Sequence, residues 1–133
     1  GQLDYYQLTP KRKRTLKKKI AQLRNAGVVF MTGTDSGIPM KFQCQSTWHE
    51  LDVWVRVMGI PPMEAIQAAT YWPAKFMNKE ADLGTVRAGR KADIIAVKGD
   101  VLKYINLLQN VDMVMKGGTL YKQHGVPIEE NLQ

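Results

Sequence analysis

The chain has 133 residues, of which 44% are hydrophobic and 23% are charged, and its formal net charge is +7. This composition suits one soluble domain with a modest core, and no apolar stretch approaches the roughly 20 residues that span a bilayer. A single cysteine excludes an internal disulfide and a multi-cysteine metal site. No signal peptide is predicted and no initiator methionine is present. The cytoplasm is the favoured compartment.

Most of the positive charge belongs to one predicted helix at about residues 10–25, which follows an irregular lead-in at residues 1–8. The helix carries 8 of the 19 basic residues, so the rest of the chain is close to neutral. Leu16, Ile20 and Leu23 recur at helical spacing and give the helix one apolar face. Its basic face has two interpretations, a solvated outer surface or a surface that binds nucleic acid or anionic lipid.

The next segment contains the most informative residue, Asp35. Residues 28–33 are predicted to form a buried strand, because four apolar residues lead into a Gly-Thr-Asp-Ser-Gly turn. A carboxylate at the carboxyl end of such a strand lies where barrel and doubly wound enzymes keep their chemistry. The alternative is an Asp that only caps a turn through its own backbone. These residues alone leave both interpretations open.

Three helical segments are predicted after a loop between residues 36 and 46. The first begins at the sequence Thr47-Trp48-His49-Glu50, which matches a capping box, and ends at Gly59. The second is opened by Pro61-Pro62. The third is a short turn that begins at Pro73. The first half of the chain is therefore mainly helical, with one strand.

After Asn78 the sequence predicts turns and short strands. The predicted elements are a turn-rich stretch at 84–89, a strand at 92–97 with Asp93 fixing a turn before it, a short helix at 102–108, and a hairpin at 111–122 around Gly117-Gly118, followed by a loose tail. A strand buried on both faces needs neighbours on both edges, and few segments here can supply them. The chain is therefore expected to be a piece of a larger body or an intimate oligomer.

Seven short pieces, in order over about residues 26–122, together carry a resemblance to a known family. They are Ala26-Gly27-Val28 with Gly33-Thr34-Asp35-Ser36-Gly37; His49-Glu50-Leu51 with Val57-Met58-Gly59; Met63 to Thr70; Pro73-Ala74; Gly84-Thr85-Val86; Gly89 to Ile95; and Asn110-Val111 with Val114 to Gly118. They resemble the metal-dependent amidohydrolases of the imidazolonepropionase and prolidase-like branch. The resemblance implies an α/β fold: the C-terminal portion of a (β/α)8 barrel, with its last helix–strand unit and closing helices, over residues 1–78. It further implies returning strands of a small β-sandwich at 79–123 and a tail at 124–133.

The same resemblance makes Asp35 a catalytic residue and a metal ligand. It places Asp35 at the end of the eighth strand, where a family aspartate touches a divalent metal, expected to be zinc, and takes a proton from the attacking water. The complete enzyme is then expected to hydrolyse a carbon–nitrogen bond in a small amide, dipeptide or cyclic amide. The family's other ligands have no counterpart in this chain, and a catalytic zinc needs about three. The chain alone is therefore predicted to be inactive and to bind no metal.

His49 is the second candidate site residue. It either points into the mouth of the site and helps to bind substrate, or is an ordinary residue of the helix surface. The expected partners are the substrate and either the remainder of the barrel or a second copy of the chain, with no nucleic acid and no membrane. Two alternatives to the hydrolase are kept: a basic-helix binding module for nucleic acid or acidic lipid, and a non-catalytic structural remnant that oligomerises.

Overall fold

The computed structural model of the protein describes residues 9–36 and 43–132. The predicted lead-in at 1–8 and most of the loop predicted after Ser36 lie outside these residues. The helices are α1 (Thr9–Asn25), α2 (Gln43–Val53, continued by a π-helical turn at Trp54–Met58), α3 (Pro62–Ala69) and α4 (Tyr71–Phe76). The strands are β1 (Ile94–Val97), β2 (Val111–Lys116), β3 (Thr119–Gln123) and β4 (Val126–Pro127), with 3-10 helices at Ile105–Gln109 and Glu129–Asn131.

Helix α2 differs from its prediction at its start. It already includes Gln43, four residues before Thr47, so Thr47 is not its N-cap and the capping-box prediction is wrong. The Glu50 carboxylate, which a capping box would turn back toward the helix start, instead accepts a hydrogen bond from the amide of Gly33. The predicted end at Gly59 is confirmed, because Gly59 follows the π-helical turn in the left-handed conformation, with φ of 75°.

The strand predicted at residues 28–33 is not formed. Residues 28–35 contain no regular secondary structure, and no described segment pairs with them as a neighbouring strand. The physical reason is that the hydrogen bonds of a strand come from its neighbours in a sheet, whereas the contacts of this segment are with helices. The amide of Thr32, for example, donates to the carbonyl oxygen of Ala68 in α3 at 3.1 Å.

The core of the described residues is small and lies among the helices. Its buried hydrophobic residues are Leu51, Trp54, Ile60, Ala65, Ala68, Ala74 and Ile105. Ile105 comes from the 3-10 helix between β1 and β2, which packs against α2 and so joins the sheet to the helices. None of the helices in the described ranges combines the length and the apolar character that crossing a membrane requires.

The four strands form one antiparallel sheet in the order β1-β2-β3-β4. The hairpin predicted around Gly117-Gly118 is confirmed, and both glycines have positive φ, 57° and 87°, as a type I′ turn requires. The loose tail is wrong for the residues described, because Gln123 pairs with Val126 and the amide of Ile128 donates to the Tyr121 carbonyl oxygen at 2.9 Å. A short polar turn lets the chain fold back onto the β3 edge, which would otherwise expose unpaired backbone groups.

Candidate functional site

The segment that ends at Asp35 has two distinct faces. From residue 30 to residue 36 the side chains alternate strictly: Phe30, Thr32, Thr34 and Ser36 are half-buried, and Met31, Gly33 and Asp35 are exposed. A period of two is the signature of an extended chain with one covered face. Asp35 therefore shares the open face of the segment with Met31, whereas the other face is covered by the protein.

The covered face packs on two helices. The ring of Phe30 meets the indole of Trp54 edge-on, with centroids 6.2 Å apart and an interplanar angle of 83°. Thr32 then bonds to α3 twice, because both its amide and its hydroxyl donate to the Ala68 carbonyl oxygen, at 3.1 and 3.5 Å. These contacts hold the segment firmly along the side opposite to Asp35.

Gly33, two residues before Asp35, is bound to helix α2. Its amide donates to Oε1 of Glu50 at 3.1 Å, and the second oxygen of that carboxylate, Oε2, is buried without a hydrogen bond among the described residues. The hydroxyls of Thr34 and Ser36 lie 2.7 Å apart and bracket Asp35. Asp35 itself has φ of 50°, a left-handed conformation that is uncommon for a residue with a Cβ. The turn around Asp35 is thus held by contacts on both sides.

Metal binding can be tested against the described side chains. No three His, Cys, Asp or Glu residues of residues 15–36 and 45–132 come together as a potential metal site. Asp35 is a single exposed carboxylate, and a catalytic metal needs about three protein ligands. These residues therefore do not fit a metal by themselves.

His49 lies on the exposed surface of α2. Its ring contacts the indole of Trp48 edge-on at 5.5 Å between centroids. Among the described residues no hydrogen bond or ion pair joins His49 to Asp35. The adjacent residue Glu50 is the one that reaches the Asp35 segment. The structure thus leaves His49 accessible but does not bring the two predicted site residues into contact.

Glu50 contacts the Asp35 segment, and the sequence interpretation did not single it out. It was assigned to a capping box, although it lies four residues before Trp54 and therefore on the same face of α2 as a buried aromatic residue. A glutamate at that spacing points toward the core and needs a donor there. This positional signal, together with its place in the His49-Glu50-Leu51 piece, could have identified Glu50 from the sequence.

Asp52, two residues after Glu50, carries a buried carboxylate. Asp52 is 1% exposed and forms an ion pair with Arg56, one helical turn further on. The hydrogen bond to Asp52, and then its negative charge, raise the pKa of the Arg56 guanidinium. Oδ1 of Asp52 is buried without a hydrogen-bond partner among the described residues. This pair links α2 to its π-helical turn, and within residues 15–36 and 45–132 no hydrogen bond or ion pair joins it to Asp35.

A cleft lies at the opposite end of the segment and is not lined by Asp35. It encloses about 310 Å³ between the end of α1, the start of the segment and α3. At its rim Arg24 forms two hydrogen bonds to the Glu64 carboxylate, at 2.9 and 2.6 Å. Arg24 is thus paired within the protein, whereas Lys17, Lys18 and Lys19 are exposed, as a solvated outer face predicts. The charge of α1 is the one observation that favours a binding module.

Comparison with known proteins gives the family. The model of the amidohydrolase family matches residues 5–121. Ochratoxinase of Aspergillus niger is 37% identical over 107 residues, which cover 76% of this chain and 21% of that protein. Imidazolonepropionase of Shouchella clausii is 29% identical over 108 residues, covering 79% of this chain and 24% of that protein.

Solved structures show the same relationship. The crystal structure of a Xaa-Pro dipeptidase with methionine bound in its active site is 38% identical and superposes with a TM-score of 0.70 over 85% of this chain and 26% of that one. The crystal structure of A. niger ochratoxinase is 35% identical, with a TM-score of 0.52 over 57% of this chain and 18% of that one. The chain thus spans about a quarter or less of the length of these relatives. It belongs to the amidohydrolase family, whose members are hydrolytic enzymes.

Proposed function

We propose that this chain is the C-terminal portion of a metal-dependent amidohydrolase that cleaves a carbon–nitrogen bond in a small amide, dipeptide or cyclic amide. In this proposal Asp35 is the catalytic residue that the chain contributes. The observation that carries the proposal is the position of Asp35 at the end of a segment whose other face is fixed on two helices. The relatives named for dipeptide and amidohydrolase chemistry support the substrate class.

The two faces of the segment suit a barrel strand. In a (β/α)8 barrel the helices cover the outer face of each strand, the inner face lines the interior, and the active site lies at the carboxyl ends. Here the helices cover one face, and the exposed side chains of Val29 and Met31, which alternate with it, retain 52 and 38% of their accessible surface. Large apolar residues exposed side by side mark a surface that another element covers. Residues 1–78 then belong to the barrel, and 79–123 to the sandwich, to which β4 adds an edge.

Asp35 has a defined part in the proposed chemistry. In the complete enzyme Asp35 would contribute one carboxylate ligand to a divalent metal, expected to be zinc, and the metal would supply an activated water. As a base on the open face, Asp35 accepts the proton of the attacking water and delivers it to the leaving nitrogen. The remaining ligands come from residues outside this chain, so the chain alone is expected to be inactive and metal-free.

His49 keeps its proposed role in substrate binding. It is exposed on α2, directly beside the residue that holds Gly33, and an exposed imidazole can donate or accept a hydrogen bond to a substrate amide or carboxylate. The macromolecular partner is the remainder of the barrel, or a second copy of the chain that supplies the missing elements. Either one would cover the exposed apolar side chains at the start of the segment.

The test is hydrolysis by the complete enzyme loaded with zinc, with a panel of dipeptides, N-acyl amino acids and cyclic amides. Replacing Asp35 with Asn should lower kcat by about 10²–10⁴-fold, the range for loss of a general base. The matched control is Asp82→Asn, which removes an exposed carboxylate from the turn region and should leave kcat unchanged. Full activity of the Asp35→Asn enzyme, or hydrolysis by the 133-residue chain alone, would contradict the proposal.

A further inference from the structure

The Glu50 carboxylate is half satisfied within the described residues. Oε1 accepts the Gly33 amide at 3.1 Å, whereas Oε2 is buried and has no hydrogen-bond partner there. An ionised carboxylate has room for about four hydrogen bonds, and leaving one of its oxygens buried without a donor destabilises a folded protein. Such a group therefore requires an explanation other than the stability of this part of the chain.

The position of Glu50, next to the segment that leads to Asp35, explains the unsatisfied oxygen. Gly33 lies two residues before Asp35, and its amide is bound by Glu50 of helix α2. Gly33 is not needed for its conformational freedom: it lacks a positive φ, and a Cβ built on it would meet no atom within 4 Å. The backbone N–H group is what the structure uses at this position, because it donates a hydrogen bond to Glu50.

The conformation of Asp35 gives such support a purpose. Its φ of 50° lies in the left-handed region, which is uncommon for a residue with a Cβ, although Asp adopts it more readily than most. Such conformations persist where the surrounding structure determines them. The φ of 50° at Asp35 is accompanied by three fixed points in the preceding residues: Phe30 on Trp54, Thr32 on Ala68 and Gly33 on Glu50. Trp54 and Glu50 both belong to one continuous helical stretch, so a single helix sets two of these points.

We propose that Glu50 is a positioning residue for Asp35, and that its second oxygen accepts a further hydrogen bond in the complete site. One oxygen fixes the backbone ahead of the left-handed turn, and the other is reserved for an N–H or O–H donor that the rest of the enzyme brings to the same point. The proposal rests on the proposed function, since it treats Asp35 as the catalytic group. It adds a residue that acts through Asp35 without itself touching the substrate.

The first experiment follows the backbone of the 133-residue chain and does not depend on activity. Amide exchange and ¹H–¹⁵N shifts of Gly33 and Asp35 are measured in the Glu50→Ala, Glu50→Asp and Glu50→Gln proteins. Glu50→Ala removes both oxygens and Glu50→Asp withdraws them by one methylene. Each should speed Gly33 exchange by about tenfold or more, as loss of a hydrogen bond to a charged group implies, and should shift the Asp35 amide.

Glu50→Gln separates the two oxygens. The glutamine side chain keeps one carbonyl oxygen for the Gly33 amide and replaces the other oxygen with an NH₂ group that cannot accept. Gly33 protection should therefore stay within about twofold of the parent, the small change expected when the acceptor is kept. Glu64→Gln is the matched control, because the Glu64 carboxylate binds Arg24 and should leave both amides unchanged. Unchanged Gly33 and Asp35 amides in folded Glu50→Ala and Glu50→Asp proteins would overturn the proposal.

The second experiment uses the complete enzyme. Glu50→Ala should lower kcat by about 10-fold or more with little change in KM, since displacing a catalytic group affects the reaction rather than substrate binding. Glu50→Gln should recover only part of that loss. The donor that the rest of the enzyme brings would then meet an NH₂ group instead of an acceptor oxygen. Full kcat in Glu50→Ala, with Asp35→Asn inactive, overturns the positioning role and leaves the proposed function standing. Full kcat in Asp35→Asn overturns the proposed function and the positioning role together.

Discussion

The carboxylate of Asp93, directly before β1, accepts a hydrogen bond of 2.7 Å from the amide of Gly117 in the turn between β2 and β3. The next amide, that of Gly118, donates to the carbonyl oxygen of Ala92 at 3.2 Å. The residues directly before β1 thus bind the turn that joins β2 to β3. The sequence predicted that Asp93 fixes a turn before its own strand, and the contact is instead with the turn of the neighbouring hairpin.

Replacing Asp93 with Ala should destabilise the sheet by about 1 kcal/mol, which is below the roughly 1.5–3 kcal/mol of hydrogen bonds to charged groups because the site is exposed. Urea unfolding gives the free energy, and amide exchange of Gly117 should accelerate locally. Asp93→Asn is the control, since its side-chain oxygen can still accept the Gly117 amide. Equal losses in Asp93→Asn and Asp93→Ala would show that the negative charge, and not the acceptor, is what matters.

Trp54 is the residue on which the helical core depends most. It is 8% exposed, belongs to the main cluster of buried residues, and contacts Phe30 of the segment that leads to Asp35. Trp54→Ala should lower the free energy of unfolding by about 3–5 kcal/mol, the range for removing a large aromatic residue from a core. The measurement is urea or thermal unfolding followed by circular dichroism.

The control for Trp54 is Val86→Ala, which shortens a side chain that is 79% exposed and should change stability by no more than about 0.5 kcal/mol. Trp54→Phe keeps an aromatic ring in contact with Phe30, so its loss in free energy of unfolding should lie between those of Trp54→Ala and Val86→Ala. A loss below about 1 kcal/mol in Trp54→Ala would contradict the packing described for α2.

Elements with local signals were predictable from the sequence. The apolar spacing of Leu16, Ile20 and Leu23 gave α1, and Gly117-Gly118 gave the hairpin, because a helix face and a tight turn are each encoded within a few residues. Gly59 ended its helix as expected for the same reason. Family membership followed from several such pieces in order, each of which is weak alone.

Features that depend on distant partners were not predictable. A strand at 28–33 was inferred from composition, but strand hydrogen bonds require a neighbour that the described residues do not provide. The partner of Glu50 is 17 residues away, at Gly33, and no local pattern names it. The position of Asp35 on the open face was hidden as well, since an unbroken apolar run carries no alternation from which to assign faces.

The Arg24–Glu64 pair joins α1 to α3 through two hydrogen bonds, with side-chain exposures of 31 and 48%. Because both groups are partly solvated, Glu64→Ala should cost about 0.5–1 kcal/mol at low salt, toward the upper end of measured exposed pairs on account of the bidentate geometry. The loss should shrink in 1 M NaCl, where the Debye length is about 3 Å. A double-mutant cycle with Arg24→Ala isolates the pair, and a coupling free energy that does not respond to salt would contradict this account.

Gly84 and Gly89 allow steric crowding to be separated from backbone strain. Both have positive φ, 83° and 82°, so an Ala at either position pays the left-handed cost of roughly 1–2 kcal/mol. Only at Gly84 does a new Cβ collide: it would lie 2.8 Å from the Ala74 Cβ and 2.8 Å from the Thr70 carbonyl oxygen. At Gly89 it would meet nothing within 4 Å.

Gly84→Ala should therefore be more destabilising than Gly89→Ala by about 1–3 kcal/mol, the usual cost of overpacking a close contact. Thermal or urea unfolding of the two single variants gives the difference in their free energies of unfolding. Because both positions have nearly the same φ, the backbone strain is common to both and cancels in this difference. The collision is with α4 and the residue before it, so the excess loss reports on the packing of the turn region against the helices. Equal losses at the two positions would mean that this contact is loose enough to open at no cost, and that the turn at 84–89 is not seated on α4 as described.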